Sequence, residues 1–251
     1  MEWWESRLGN LIVGYNEPRE DEENIRTGSH NVVVGTQHNF SRFGGIVVGL
    51  RNTISGLFAS VSGGEGNTAV SFSASVSGGY RNTASGFAAT VSGGFRNTAD
   101  GELSAVSGGS SNTASGFAAA VSGGVGNTAG GLYTSVSGGG LNIASEEGGS
   151  VSGGYGNTTS GFFASVSGGE GNTARSIGAA VSGGISNSAG GFYSSVSGGY
   201  GNTTSALHVT GSISGGFGNT TSGDYATVSG GANRTAEGEN DWRGGSFFSE
   251  E

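Results

Sequence analysis

Residues Asn82 to Arg96 read NTASGFAATVSGGFR, and the stretch returns with small changes from about residue 46 to residue 232. The valine of Val-Ser-Gly-Gly marks the period. It stands at Val61, Val76 and Val91 and recurs every 15 residues to Val196; Ile213 follows after 17 and Val228 after 15. The two extra residues lie in the stretch ALHVTGS. Such a period is too short for helical repeats of roughly 33 to 47 residues or for propeller blades. Each unit reads as two short strands and two turns, one strand from Ala89 to Gly93 and the other from Asn82 to Gly86. Gly-Gly and Asn between them are residues that accept positive φ at tight corners.

Side chains alternate along a strand. Ala89 and Val91 therefore share one face, and Ala84 meets them from the opposite strand. One coil buries too little to stand alone, so the core is built by stacking neighbours. The expected fold class is all-β, a parallel β-solenoid of about 15 coils of 15 residues. At roughly 4.8 Å per stacked strand, this predicts a rod on the order of 70 Å long.

Residues 1–43 hold irregular coils, NLIVGYN (10–16) and NVVVGTQHN (31–39), around an acidic insertion with Glu17, Glu20, Asp21, Glu22 and Glu23. That insertion reads as a solvated loop. Residues 44–232 form the regular repeat, opening with GIVVGLRN (45–52). Residues 233–251 leave the register, since Asn233 comes five residues after Val228 rather than six, and read as a last coil and a cap. A cap is expected because an open coil exposes unpaired strand edges.

Composition narrows the function classes. Gly is 55 of 251 residues, about three times the ordinary share of roughly 7%, yet a single Pro excludes collagen. Cysteine is absent, which removes disulfides, Cys-ligated zinc and a Cys nucleophile. Every basic residue is Arg, and the net charge of −9 disfavours nucleic acid and anionic membranes as partners. No apolar run approaches the roughly 18 residues that span a bilayer, so no membrane insertion is expected. The opening MEWWESRLGN lacks the basic and apolar regions of a signal peptide.

Three columns follow from stacking. Asn82, Asn97, Asn112, Asn127, Asn142, Asn157, Asn172, Asn187 and Asn202 read as a corner ladder of stacked amides that hydrogen-bond along the stack. Ser77, Ser92, Ser107, Ser122, Ser137, Ser152, Ser167, Ser182 and Ser197 follow the marker Val and should face away from the core. The residue before the Val is also always small, so this strip is the candidate inter-chain surface, with a bend-forming Ser as the structural alternative. The third column lies four residues before the Val, with Phe72, Phe87, Phe117, Phe162 and Phe192, beside Tyr133, Phe163 and Tyr193 in the next. It accepts Glu102, Glu147 and Asp224, so it is at least edge-exposed. It is the candidate surface ridge, or else an aromatic stack that merely stabilises the solenoid.

No catalytic constellation emerges, and no enzyme, cofactor or metal site is expected. His30, His38 and His208 read as surface residues, Glu146 and Glu147 as a solvated corner. SGGEGNTA carries Asn where calcium-binding repeats carry Asp.

The pattern G-x-x-[SA]-x-V-S-G-G-x-x-N-T-A-S-G resembles the Hep/Hag repeat of YadA-like trimeric autotransporter adhesins over roughly residues 44 to 232. It departs in its 15-residue turn, where the family's is near 14, in V-S-G-G in place of an apolar pair before Gly, and in its Asn-Thr pair. The resemblance implies a left-handed β-roll, three chains packed side by side, and a place on a cell surface or fibre. The neck, stalk and anchor that follow such heads have no counterpart in these residues, so autotransport itself is not expected of them. The expected function is a structural or adhesive extracellular segment, a rigid repeat rod that self-associates as a homotrimer or fibre and presents a surface to a host or matrix ligand. The alternatives are an ice-binding solenoid using the Thr-x-Ser array (Thr83 and Ser85, Thr113 and Ser115, Thr158 and Ser160), and a phage-type tail-fibre segment. A carbohydrate-processing tailspike would need clustered carboxylates, which the sequence does not offer.

Overall fold

The computed structural model describes residues 9–20, 24–205 and 209–244. The fold is an all-β parallel β-solenoid whose coils repeat every 15 residues. The chain divides into two units, Met1–Gly126 and Asn127–Glu251, each built from the same coil.

One coil shows why the sequence folds this way. The strand Thr90–Val91 is followed by Ser92, Gly93 and Gly94, and by Phe95 on a bridge between turns. Arg96 turns the corner at φ 53°, the strand Thr98–Ala99 follows, and Leu103 turns the next corner at φ 58° into Ala105–Val106. Stacking gives a valine sheet and a threonine sheet. Thr90 and Val91 pair in parallel with Ala105 and Val106, and Thr98 and Ala99 with Thr113 and Ala114. A ladder of single bridges joins Glu65, Tyr80, Phe95 and Ser110 between the sheets. Gly94 has φ 93°, and a Cβ there would run into the carbonyl oxygen of Gly109 and the Asn97 amide, so this corner requires glycine.

The core is the one expected. Ala84, Ala89 and Val91 are fully buried, as are their counterparts in neighbouring coils. Single methyl and isopropyl groups fill a coil because its two strands run close together, and in the first turns Phe40 and Ile54 take the place of the alanine.

In the first unit the valine sheet runs from Leu11–Val13 through Val32–Thr36 and Ile46–Leu50 to Ala120–Val121. The threonine sheet runs from Asn39–Phe40 to Thr113–Ala114. In the second unit they run from Ser135–Val136 to Trp242–Arg243 and from Thr128–Ala129 to Thr235–Ala236.

Among the described residues fourteen turns carry both strands, slightly fewer than the expected fifteen. The difference lies at residues 10–16, where Leu11–Val13 pairs with Val32–Val34 but the chain then enters the insertion. The insertion's Asp21, Glu22 and Glu23 lie outside the described residues. At Val196 the register steps by 17, pairing with Ile213, and Ala206 to His208 of that step lie outside the described residues.

The register does not break at Asn233. Arg234 takes the corner place of the missing Asn and donates its backbone N–H to Asn219 Oδ1 at 3.0 Å. Thr235 and Ala236 pair with Thr220 and Thr221, and Trp242 and Arg243 with Thr227 and Val228. Backbone pairing carries the period through a corner whose side chain has changed. The rest of the expected cap, residues 245–251, lies outside the described residues.

Candidate functional surfaces

The asparagine column is buried and forms a ladder, but not one of amide to amide. Asn82 Oδ1 accepts the backbone N–H of Asn97 at 2.9 Å. Its Nδ2 donates to the carbonyls of Gly78 and Gly94, both at 2.9 Å. Asn97, Asn142, Asn157, Asn172, Asn187 and Asn202 likewise donate to the glycine four residues back and to the next coil's glycine. Asn112 donates to Gly108 and Gly124, and Asn127 to Gly139. The tight Gly-Gly corner presents its carbonyls where a neighbouring amide would otherwise stand, which is why the bonds run side chain to backbone. Every rung consumes corner donors and acceptors that burial would leave unpaired.

His38 stands at the head of this column and is buried, not on the surface. Its Nδ1 accepts the N–H of Asn52 at 3.2 Å, and Nε2 lies 3.0 Å from the Val34 carbonyl. An imidazole with its proton on Nε2 thus repeats the asparagine pattern of one acceptor and one donor. Burial pushes its pKa below the ordinary value of 6.5, and the Arg19 guanidinium acts in the same direction, against the hydrogen bonds of the surrounding backbone. Arg19, itself buried, donates from Nε to the Gln37 carbonyl and from Nη2 to the Arg51 carbonyl and Thr53 Oγ1. Part of the insertion read as a solvated loop is therefore a clamp on the first turns. Its signal was an Arg set among carboxylates. His30 is exposed.

The serine strip faces outward as expected. Ser77, Ser92, Ser107, Ser122, Ser137, Ser152, Ser167, Ser182 and Ser197 are all exposed on the outer side of the valine sheet. The residues before the Val, such as Ser75, Ala105 and Ser165, lie half-buried beside them. From Ser60 to Ser122 in the first unit and from Ser135 to Ser229 in the second, these two columns carry no charge and no side chain larger than Thr; Ile46 and Trp242 stand at their ends.

The ridge is exposed as well. Phe72, Phe87, Phe162 and Phe192 are 41 to 47% exposed, and Phe117 is half-buried. Phe72 and Phe87 stack with ring centroids 5.2 Å apart. Tyr133, Phe163 and Tyr193 reach 59 to 64% exposure and have φ of 54 to 56°, a left-handed conformation unusual for bulky residues. The large-small alternation here has a packing cause. A Cβ on Gly148 would meet the Phe163 ring, and one on Gly178 would meet the Tyr193 ring. Each ring lies over the small residue of the preceding turn.

A second apolar line follows the bridge ladder. Tyr80 stacks on Phe95 at 5.6 Å and Tyr200 on Phe217 at 5.4 Å. Glu146 and Glu147 are half-buried. Among the described residues no group of three or more His, Cys, Asp or Glu side chains could hold a metal ion, and no helix is long and apolar enough to cross a membrane.

No protein-family model matches the chain. No curated protein matches it either.

Proposed function

We propose that the chain is a non-catalytic structural and adhesive element of an extracellular or cell-surface fibre. The outer side of the valine sheet is where identical chains pack, in the side-by-side trimer that the Hep/Hag resemblance implies. The aromatic ridge is the surface offered to a host or matrix ligand. One observation carries the reading: Tyr133, Phe163 and Tyr193 hold large apolar groups in left-handed backbone while more than half exposed. Gly148 and Gly178 take the same corner without a side chain. A bulky residue in this conformation costs on the order of 1 kcal/mol, and exposed apolar groups kept at such a cost suit a binding surface better than a packing one. The small, uncharged outer side of the valine sheet supports the self-association, since nothing there opposes close approach of another sheet.

The test is the mass in solution. Light scattering on a sizing column should give three times the chain mass; a species near 24.6 kDa overturns self-association.

One feature favours a second reading, an ice-binding face. Thr68, Thr83, Thr98 and Thr113 stack in register on the outer side of the threonine sheet. The neighbouring column is broken by Val70, Asp100, Arg175 and Gly190, which a flat ice face would avoid. A clear thermal hysteresis gap would favour this reading over the adhesive one. A tail-fibre segment remains a variant of the first, differing in the particle that carries it.

A further inference from the structure

Three of the chain's ten basic residues line one cavity of the first unit, in a chain of net charge −9. The cavity measures about 310 Å³ and lies where the bridge ladder meets the threonine sheet. Its cause is local. Arg51, Gly66 and Arg81 occupy the same corner in successive turns, and the missing side chain at Gly66 opens a gap between two arginines. A Cβ at Gly66 would lie 3.3 Å from Arg81 Cγ.

Each wall is fixed. Arg81 lies over the Tyr80 ring with Cζ 5.1 Å from its centroid, which leaves the N–H edge of the guanidinium for in-plane acceptors. Arg51 Nε donates to Gln37 Oε1 at 2.6 Å on the other side. Arg19 adds charge beside them, and Thr53, Thr68 and the Glu65 carboxylate complete a polar lining.

Guanidinium edges suit a carboxylate, which they bind through paired hydrogen bonds. Glu65 limits which anion fits. A phosphate or sulfate, with its charge concentrated on one group, meets a like charge there, whereas a sugar ring with one carboxylate and several hydroxyls can donate to it. The volume is near the lower end of ligand cavities, roughly 300 to 1,000 Å³, and suits one sugar ring. We propose that this cavity binds the carboxylate-bearing ring of an acidic saccharide, with the carboxylate on the N–H edge of Arg81, Arg51 and Arg19 adding positive charge beside it, and the ring hydroxyls on Thr53, Thr68 and Glu65. The proposal rests on the adhesive reading and adds to the ridge a second, polar site with its own ligand class.

The test is calorimetric titration of the full chain with trigalacturonate, with maltotriose and inorganic phosphate as comparison probes. Trigalacturonate should bind saturably, and the exposed Arg81→Gln should weaken it roughly tenfold or more. Maltotriose and phosphate should give no saturable heat, and Glu65→Gln should admit phosphate while weakening the sugar. Equal binding of maltotriose, tight binding of phosphate to the unaltered chain, or an unchanged affinity in Arg81→Gln overturns the site. So does silence with trigalacturonate in a chain whose circular dichroism shows folded β-structure. A monomer that binds trigalacturonate overturns self-association and leaves the site; a trimer that binds none does the reverse.

Discussion

Gly149 faces Thr159 across the interior of one coil, and a Cβ on Gly149 would lie 2.8 Å from Thr159 Oγ1. The next coil fills the same two positions with Ala164 and Ala174, both fully buried. Gly211 and Thr221 repeat the large-small exchange. In these two coils a gain on one strand is met by a loss on the other.

Gly149→Ala should overpack this coil and lower stability by about 1 to 3 kcal/mol. Adding Thr159→Ala should restore most of the loss, because the pair then matches its neighbours. Urea midpoints of the two single variants and the double variant measure the coupling. Simple additivity would show that the two residues do not share the space.

Thr221 Oγ1 is buried with no hydrogen-bond partner among the described residues. Thr204 occupies the equivalent place in its coil, but its hydroxyl donates to Ser194 Oγ at 2.8 Å and accepts from the Gly190 N–H at 2.9 Å. Valine in place of threonine should thus act oppositely at the two sites. Thr221→Val should raise stability and Thr204→Val lower it, each by about 1 kcal/mol. Thermal unfolding of both variants reads the signs.

Asn97 holds three corner groups: the Asn112 N–H at 3.0 Å and the carbonyls of Gly93 and Gly109 at 2.9 Å each. Asn97→Ala leaves the buried Asn112 N–H without a partner and takes one bond from each glycine carbonyl, the Gly109 carbonyl keeping that of the Phe95 N–H, and should cost about 1 to 3 kcal/mol. Asn97→Asp should cost more, since a carboxylate accepts from Asn112 but repels both carbonyls. Hydrogen exchange should accelerate at the Asn112 amide in the alanine variant, which alone loses the acceptor.

His38 gives a pH dependence of definite sign. Its folded pKa lies below the ordinary 6.5, so between the two values the unfolded chain binds the extra proton. The neutral imidazole's contribution is complete above about pH 6.5 and falls away as pH drops through the folded pKa. Protonation of Nδ1 also removes the acceptor for the Asn52 N–H, beside Arg19. Below pH 6 the first turns should lose exchange protection before the coils around Val91. In His38→Asn, which preserves an acceptor and donors, this early loss should disappear.

The period, the parallel pairing and the Ala84, Ala89 and Val91 core were legible in sequence because each depends on one repeated choice of side-chain size. The asparagine column was legible as a column, but its bonding was not. Whether an amide meets another amide or a carbonyl depends on how closely the Gly-Gly corners stack, which residue types alone do not state. His38 read as a surface residue because its turn is 14 residues long, which hides its place in the corner column from a 15-residue alignment. Arg234 misled for the opposite reason: the marker residue changed while the backbone register continued. The clamp by Arg19 depends on where the insertion folds back, and no periodic signal records that.

Within each unit the asparagine Oδ1 receives the backbone N–H of the turn that follows it in sequence, never of the turn before, as Asn67 does from Asn82 and Asn219 from Arg234. The column therefore has a direction. During synthesis the N-terminal turns leave the ribosome first, so every new turn meets an acceptor already set in place by its predecessor. Folding from that end lays each coil on a finished template whose acceptor is in place, whereas folding from the other end would leave the buried corner N–H of each finished coil waiting for its acceptor.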